Sequence, residues 1–379
     1  MSGFDTTFDL SEAAQYHYGK FPPQTLDMAR LIKPLTAATA SLARYDQMLK
    51  GMHNSEILLA PLRSQEAVVS SRMEGTISTL DEVLRYEADE EGDGKSRGLE
   101  RSDAFEVTLY AHAMRSAQKR IEDGAPLSAW LIRSMHSELL QFGRGAHLNP
   151  GQYKNEQNYL ADRVRKKVLF VPISPEKLAD GMEGLMGYVG DDDHEILIRT
   201  AIAHLEFEAL HPFKDGNGRI GRMLITLMLW KYGVISAPHF YVSAFFEQNR
   251  DDYIDKMRAV SAEDAWTDWI IFFLRALDRQ AQQNLQVAER IGSLYTDMKD
   301  RLRELLSSQW STAALDFLFS RPVFWNNVFS KKAGIPSATA QRFTRALADA
   351  GILHLRVPAA GRRPALYSFE PLLAIVRSA

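Results

Sequence analysis

The stretch His211-Pro212-Phe213-Lys214-Asp215-Gly216-Asn217-Gly218-Arg219-Ile220-Gly221-Arg222 packs a base, a carboxylate, an anion cradle and two cations into consecutive residues. An imidazole titrates near neutral pH, which suits His211 to taking a proton from a hydroxyl. Asp215 offers an oxygen ligand where a hard Mg²⁺ bridging phosphate oxygens needs one. Gly216, Gly218 and Gly221 let the backbone adopt positive φ and turn its N–H groups toward an anion. The run Met223–Trp230 is apolar and free of proline, so it predicts a buried helix. Gly216, Asn217 and Gly218, continuing through Ile220 and Gly221, then lie at a helix N-terminus, where orphan N–H groups and the macrodipole favour phosphate. Arg219 and Arg222, at i and i+3, share one face of the first turn and can clamp a polyphosphate. A rival reading takes His204, Glu208 and His211, at i, i+4 and i+7, as ligands of a transition metal. It lacks the HExxH pattern and leaves the phosphate cradle idle, so His204 and Glu208 read better as polar support for the loop.

At these residues the sequence resembles the Fic family, whose motif is HPFx[D/E]GNGRxxR, and every fixed position is present. The resemblance implies a mainly α fold, a Fic helical bundle with a short β-hairpin flap. It also implies a nucleotidyltransferase: a protein adenylyltransferase that moves AMP from ATP, with Mg²⁺, to a Ser, Thr or Tyr hydroxyl of a target protein or of itself. In that scheme His211 is the base and Asp215 the metal ligand. Gly216, Asn217 and Gly218 cradle the α/β phosphates, and Arg219 and Arg222 bind the leaving pyrophosphate. A family relative with Lys at the second glycine of GNG phosphorylates its target instead, and Gly218 argues against that variant.

Three further stretches gain meaning from the resemblance. Ser70-Ser71-Arg72-Met73-Glu74-Gly75 reads alone as a helix end with Gly75 as C-cap and Glu74 in solvent. It is similar to the family's inhibitory motif [S/T]xxxE[G/N], matched by Ser70, Glu74 and Gly75, in which the Glu pairs with the second motif arginine, here Arg222. Gly151–Pro175 resembles the flap, with Tyr153-Lys154 and Val171-Pro172 on its flanks, and would hold a target segment by strand addition. Phe246–Tyr253 resembles the stretch after the motif helix, which makes Asn249 and Tyr253 candidates for nucleoside contacts. Alternative functions are removal of AMP at the same site with Glu74 activating water, use of another nucleotide, and a DNA-binding regulator whose Fic site senses nucleotide.

The surroundings are those of a multidomain globular chain: 379 residues, 45% hydrophobic and 25% charged, with a net charge of −3. No apolar run is long enough to cross a bilayer, so no membrane is expected. Cysteine is absent, which excludes disulfides and thiolate metal sites and fits a cytoplasmic protein. The N-terminus, with Asp5, Asp9 and Glu12 and no basic stretch before an apolar core, does not read as a signal peptide. The expected division is an N-terminal helical region with the inhibitory helix (1–100), a catalytic domain (101–280), a connecting helix (281–310) and a tail (311–379). Helices are expected at Leu26–Lys50, Ser64–Met73 and about Asp264–Leu305, and the acidic, glycine-bearing Ala88–Gly98 should be a surface loop. The tail reads as three helices, Thr312–Phe319, Trp325–Ala333 and Ser337–Ala350, with Ser337 as an N-cap, followed by strands Ile352–Val357 and Ala365–Phe369. That is the order of a small winged helix-turn-helix domain, with Gln341, Arg342 and Arg345 on the recognition helix and Arg362-Arg363 on the wing. The tail carries nine Lys/Arg against Asp316, Asp349 and Glu370, a footprint that points to DNA as a partner. A homodimer is also open.

Overall fold

The computed structural model describes residues 8–92, 103–143, 145–162 and 166–378. In chain order it runs β1 (Ala14–Gln15), α1 (Met28–Gly51), α2 (Ser55–Leu58), α3 (Ala60–Met73), α4 (Leu80–Glu91), α5 (Asp103–Glu122), α6 (Ala129–Leu139), β2 (Leu160–Asp162), β3 (Lys167–Val171), α7 (Pro175–Gly190), α8 (Ile196–Leu210) and α9 (Asn217–Lys231). There follow α10 (Ser243–Gln248), α11 (Arg250–Glu263), α12 (Trp266–Leu306), α13 (Ser311–Ser320), β4 (Val323–Trp325), α14 (Asn326–Ala333), α15 (Ser337–Asp349), β5 (His354–Val357), β6 (Leu366–Ser368) and α16 (Glu370–Arg377). The fold is mainly helical, as the periodicity predicts. The chain forms two compact units, each assembled from two stretches: residues 1–43 with 112–281, and residues 44–111 with 282–379.

The first unit is built around α8 and α9. Every residue of α8 from Leu197 to Leu210, and every residue of α9 from Asn217 to Leu229, is buried. Helices covered on all sides are core helices, and α6 and α7 pack against this pair. Gly221 lets the two helices approach: a Cβ there would run into the Glu208 carboxylate and come within 3.2 Å of the Phe207 ring. The trace of Gly151–Pro175 contains the expected antiparallel hairpin, β2 with β3, but β3 is the middle strand of the sheet β1-β3-β2. The two-residue β1 pairs with it in parallel (Ala14 opposite Phe170), and Arg258 on α11 donates to Leu169 O at 3.1 Å. The basic run at 163–165 lies outside the described residues.

The second unit joins α2–α4 to the chain's last third. Helix α3 ends in a Schellman motif: Gly75 has φ +87°, its N–H donates to Arg72 O, and Thr76 N–H donates to Ser71 O. The C-cap is Glu74, and Gly75 follows it. The expected loop at Ala88–Gly98 needs correction. Ala88 to Glu91 continue α4, because the acidic side chains find partners: Asp89 accepts from Trp325 Nε1 at 2.6 Å and Glu91 pairs with Arg321 at 2.7 Å. Residues 93–98 of that loop lie outside the described residues. In the tail, α13, β4, α14, α15, β5 and β6 follow in order, with β4 and β5 both antiparallel to β6. Strand β4, only Val323–Trp325, was not expected from the sequence, and Pro336 rather than Ser337 is the N-cap of α15. Helices α13 and α16 pack on α3.

Candidate active site

Helix α8 ends at Leu210, and His211 caps it in the left-handed region, with φ 44° and ψ 61°. A non-glycine residue there costs on the order of 1–3 kcal/mol, which surrounding contacts must offset. The chain then turns through Asp215 to Gly216, whose φ of +77° starts α9 at Asn217. Of the three glycines expected to use positive φ, Gly216 does so, whereas Gly218 and Gly221 are helical residues of α9, and the Gly216 N–H donates to Asp215 Oδ1 at 2.7 Å. The Asn217 side chain is turned inward: it accepts from Phe213 N–H and donates to Phe213 O, both at 2.8 Å. Its amide therefore braces the cradle through the backbone of Phe213. Arg219 and Arg222 are each 2% exposed, so their charges stand in a low dielectric where an anion would feel them strongly. Arg219 Nη2 lies 3.6 Å from Asp215 Oδ1. The Asp215 side chain is 37% exposed, so its carboxylate is reachable and fits a Mg²⁺ bound with phosphate.

Residues that the motif does not contain hold this loop. His136 on α6 accepts from Gly151 N–H at Nδ1 (2.8 Å), so its Nε2 carries the proton donated to Asp215 O (2.9 Å). Burial pushes its pKa down to about 4, so it stays neutral, and it stacks on Phe213 with ring centroids 3.7 Å apart. Sequence reasoning missed it because it lies 79 residues from its partner. Lys154 and Asn158, from the segment entering the flap, meet the backbone of Leu210 to Phe213.

His204 does not face a ligand. Its Nδ1 meets Gly221 O at 3.1 Å and its Nε2 meets the Tyr253 hydroxyl at 2.8 Å. Burial, reinforced by the Arg222 charge, lowers its pKa to about 3, so it is a neutral core group. The polar-support reading of His204 thus stands. The same bond engages the hydroxyl of Tyr253, which is 5% exposed and stacked on Phe246 at 4.6 Å. Its ring packs in the aromatic core with Trp269. Asn249 donates to Phe245 O at 2.9 Å, so its amide is engaged at the junction of α10 and α11. Ser70, Glu74 and Gly75 belong to the second unit, and the motif belongs to the first.

A helical bundle whose two central helices meet at a glycine turn flanked by a histidine and two buried arginines defines a class of phosphate-handling site. The Fic/DOC family N-terminal model matches residues 32–119 and the Fic/DOC family model residues 126–229. Together they take in half of the chain, which belongs to the Fic/DOC family. It is similar to the protein adenylyltransferase Fic of Nematostella vectensis, 27% identical over 177 residues, covering 46% of this chain and 37% of the relative. It is also similar to a uridine 5'-monophosphate transferase of Xanthomonas campestris, 25% identical over 195 residues, or 47% of this chain and 34% of the relative. The matches thus span little more than a third of those relatives. A solved Fic family protein from Desulfovibrio desulfuricans shares the fold with a TM-score of 0.56 and 20% identity, over 92% of this chain and 98% of its own. Among the described residues, no helix is long and apolar enough to cross a membrane.

Proposed function

We propose that this chain is a protein adenylyltransferase, moving AMP from ATP to a Ser, Thr or Tyr hydroxyl of a target protein or of itself. What carries the reading is the seating of His211 at the left-handed end of α8, immediately before the Gly216 turn that opens α9. His211 takes the proton of the attacking hydroxyl. The N–H groups at the start of α9 face the α and β phosphates, and the charges of Arg219 and Arg222 stabilise the departing pyrophosphate. Asp215 would hold Mg²⁺, which would supply charge neutralisation on the phosphates. The target's extended segment adds at β2, because β3 has both edges occupied by β1 and β2. Glu74, with Ser70 and Gly75, is the inhibitory element of this reading, on the strength of their match to the family's [S/T]xxxE[G/N] motif. The base of the nucleotide is set apart from this machinery, and the Xanthomonas relative's printed name favours testing UTP beside ATP. Labelling with each of the four α-labelled nucleoside triphosphates, with His211→Ala as control, tests the reading. Transfer chiefly from ATP that vanishes in His211→Ala supports it, and transfer chiefly from UTP replaces AMP with UMP.

A second reading concerns the tail, proposed as a winged helix that meets duplex DNA. Its support is the helix–strand–helix–helix–strand–strand order, with Arg342 and Arg345 exposed on α15 and Arg362 and Arg363 exposed on the connection between β5 and β6. The absence of cysteine fits a cytoplasmic setting.

A further inference from the structure

We infer that Lys154 and Asn158 are positioning residues for His211, a role that rests on the proposed transfer reaction only for its kinetic consequence. The observation is a run of four consecutive carbonyls that each accept from one of these two residues, Phe213 O accepting from Asn217 Nδ2 as well. Leu210 O accepts from Lys154 Nζ at 3.0 Å, and Pro212 O accepts from the Lys154 backbone N–H at 2.8 Å. His211 O and Phe213 O accept from Asn158 Nδ2 at 3.1 and 3.0 Å. The two residues are tied to each other, Lys154 Nζ donating to Asn158 Oδ1 at 2.8 Å.

The peptide planes on both sides of His211 are therefore fixed from outside the motif. That matters because the turn is strained. A left-handed histidine after a helix end relaxes toward ordinary φ unless its carbonyls are held, and each relaxation swings the Cβ and the imidazole away. Lys154 also answers an unpaired carbonyl at the negative end of α8, where a cation is favourable. Its retention in this place is costly: Lys154 is 3% exposed, and burial pushes its ammonium down to about 7. A methionine of similar length would fill the space without that penalty, but it would leave Leu210 O without its donor. The arrangement is thus explained by the geometry it imposes on the turn and not by packing alone.

The chemistry of the two side chains dictates the test. Asn158→Asp keeps the shape and the acceptor for Lys154 but removes both donors and sets an oxygen against two carbonyls. Lys154→Met removes the side-chain donor, and Lys154→Arg restores one. With labelled ATP, Asn158→Asp and Lys154→Met are expected to lower kcat about 10- to 100-fold, the cost of misplacing a base by roughly 1 Å. KM for ATP should stay within about threefold, since the cradle and arginines are untouched, and Lys154→Arg should recover most of the rate. Nitrogen-detected NMR of the His211 imidazole, with thermal unfolding alongside, supplies the arm that needs no turnover. The ring signals should move in Asn158→Asp while the melting transition stays cooperative. Unmoved ring signals in Asn158→Asp, or KM rising in step with a falling kcat/KM at constant kcat, would overturn the positioning role. Moved ring signals in a protein whose wild type transfers no nucleotide would uphold the brace and defeat the transfer reaction.

Discussion

His211 owes its position to neighbours in space more than to neighbours in sequence, and the motif residues divide accordingly. His211→Ala should abolish transfer while ATP still binds, a loss of about 10²–10⁴-fold for a positioned base, read by rate and calorimetric titration on the same preparation. Near-normal turnover would remove the base assignment. Gly221→Ala brings a methyl group against Glu208 and Phe207 at the α8–α9 crossing, and should destabilise by about 1–3 kcal/mol, read by denaturant titration. Unchanged stability would mean the two helices have slack there. The contiguous part of the site was legible because its chemistry is local: His211, Asp215, Gly216 and the arginines stand within one turn and one helix start. His136 and Asn158 were illegible as site residues because their partners lie 79 and 53 residues away. The partners of Asn249 and Tyr253 were hidden for a related reason. A polar side chain quoted from sequence does not show which backbone or core group already engages it, and here Phe245 O and His204 do.

At the scale of elements, the expected helices fall within about four residues of the observed bounds, since a buried stripe repeats over many turns. Expected Ser64–Met73 lies within α3, and expected Thr312–Phe319 within α13. Strands β1 and β4, two and three residues long, carry no such repeat. Ala88–Glu91 looked like loop because, besides the local pair of Asp89 with Arg85, its charges are answered by Trp325, Arg321 and Lys332, some 230 residues later or more. The same unit holds a cluster in which Arg377 and Arg356 both meet Asp81 and Glu370. Burial works to raise the Glu370 carboxyl, but hydrogen bonds from Ser368, Arg377 and Arg356 outweigh it and hold the group at about 2. A carboxylate lowered on folding stabilises above its unfolded pKa and loses that contribution as pH falls toward 2. Glu370→Gln should therefore cost stability at pH 7 and progressively less below about pH 4, measured by urea titration at several pH values. A pH-independent cost would show that shape rather than charge matters there. Glu74 belongs to this scale too. Glu74→Ala and Glu74→Gly should both raise AMP transfer, with alanine isolating charge from the backbone freedom that glycine adds.

For the whole molecule, composition pointed to the basic tail correctly but not to how its charge is distributed. Arg321, Lys332, Arg356 and Arg377 all pair with acidic residues of α4, the first two with Glu91 and the last two with Asp81 and also with Glu370. Arg342, Arg345, Arg362 and Arg363 are exposed. Because residues 44–111 and 282–379 form one unit, DNA binding is best measured on the full chain. Duplex affinity should fall with log salt by a slope of about −0.9 per phosphate neutralised. The slope should shrink when those four arginines become alanine, whereas Arg321→Ala should leave it alone. Salt-independent binding would return the tail to a protein-contact role. The central claim concerns nucleotide transfer from the His211–Arg222 loop, and it is tested most directly by intact-protein mass spectrometry after incubation with ATP and Mg²⁺. The account predicts an added AMP, on the chain or on a host protein supplied with it, slowly in the wild type, faster in Glu74→Ala and not at all in Glu74→Ala/His211→Ala. An AMP adduct that persists without His211, or no adduct from ATP on any protein even in Glu74→Ala, would contradict it.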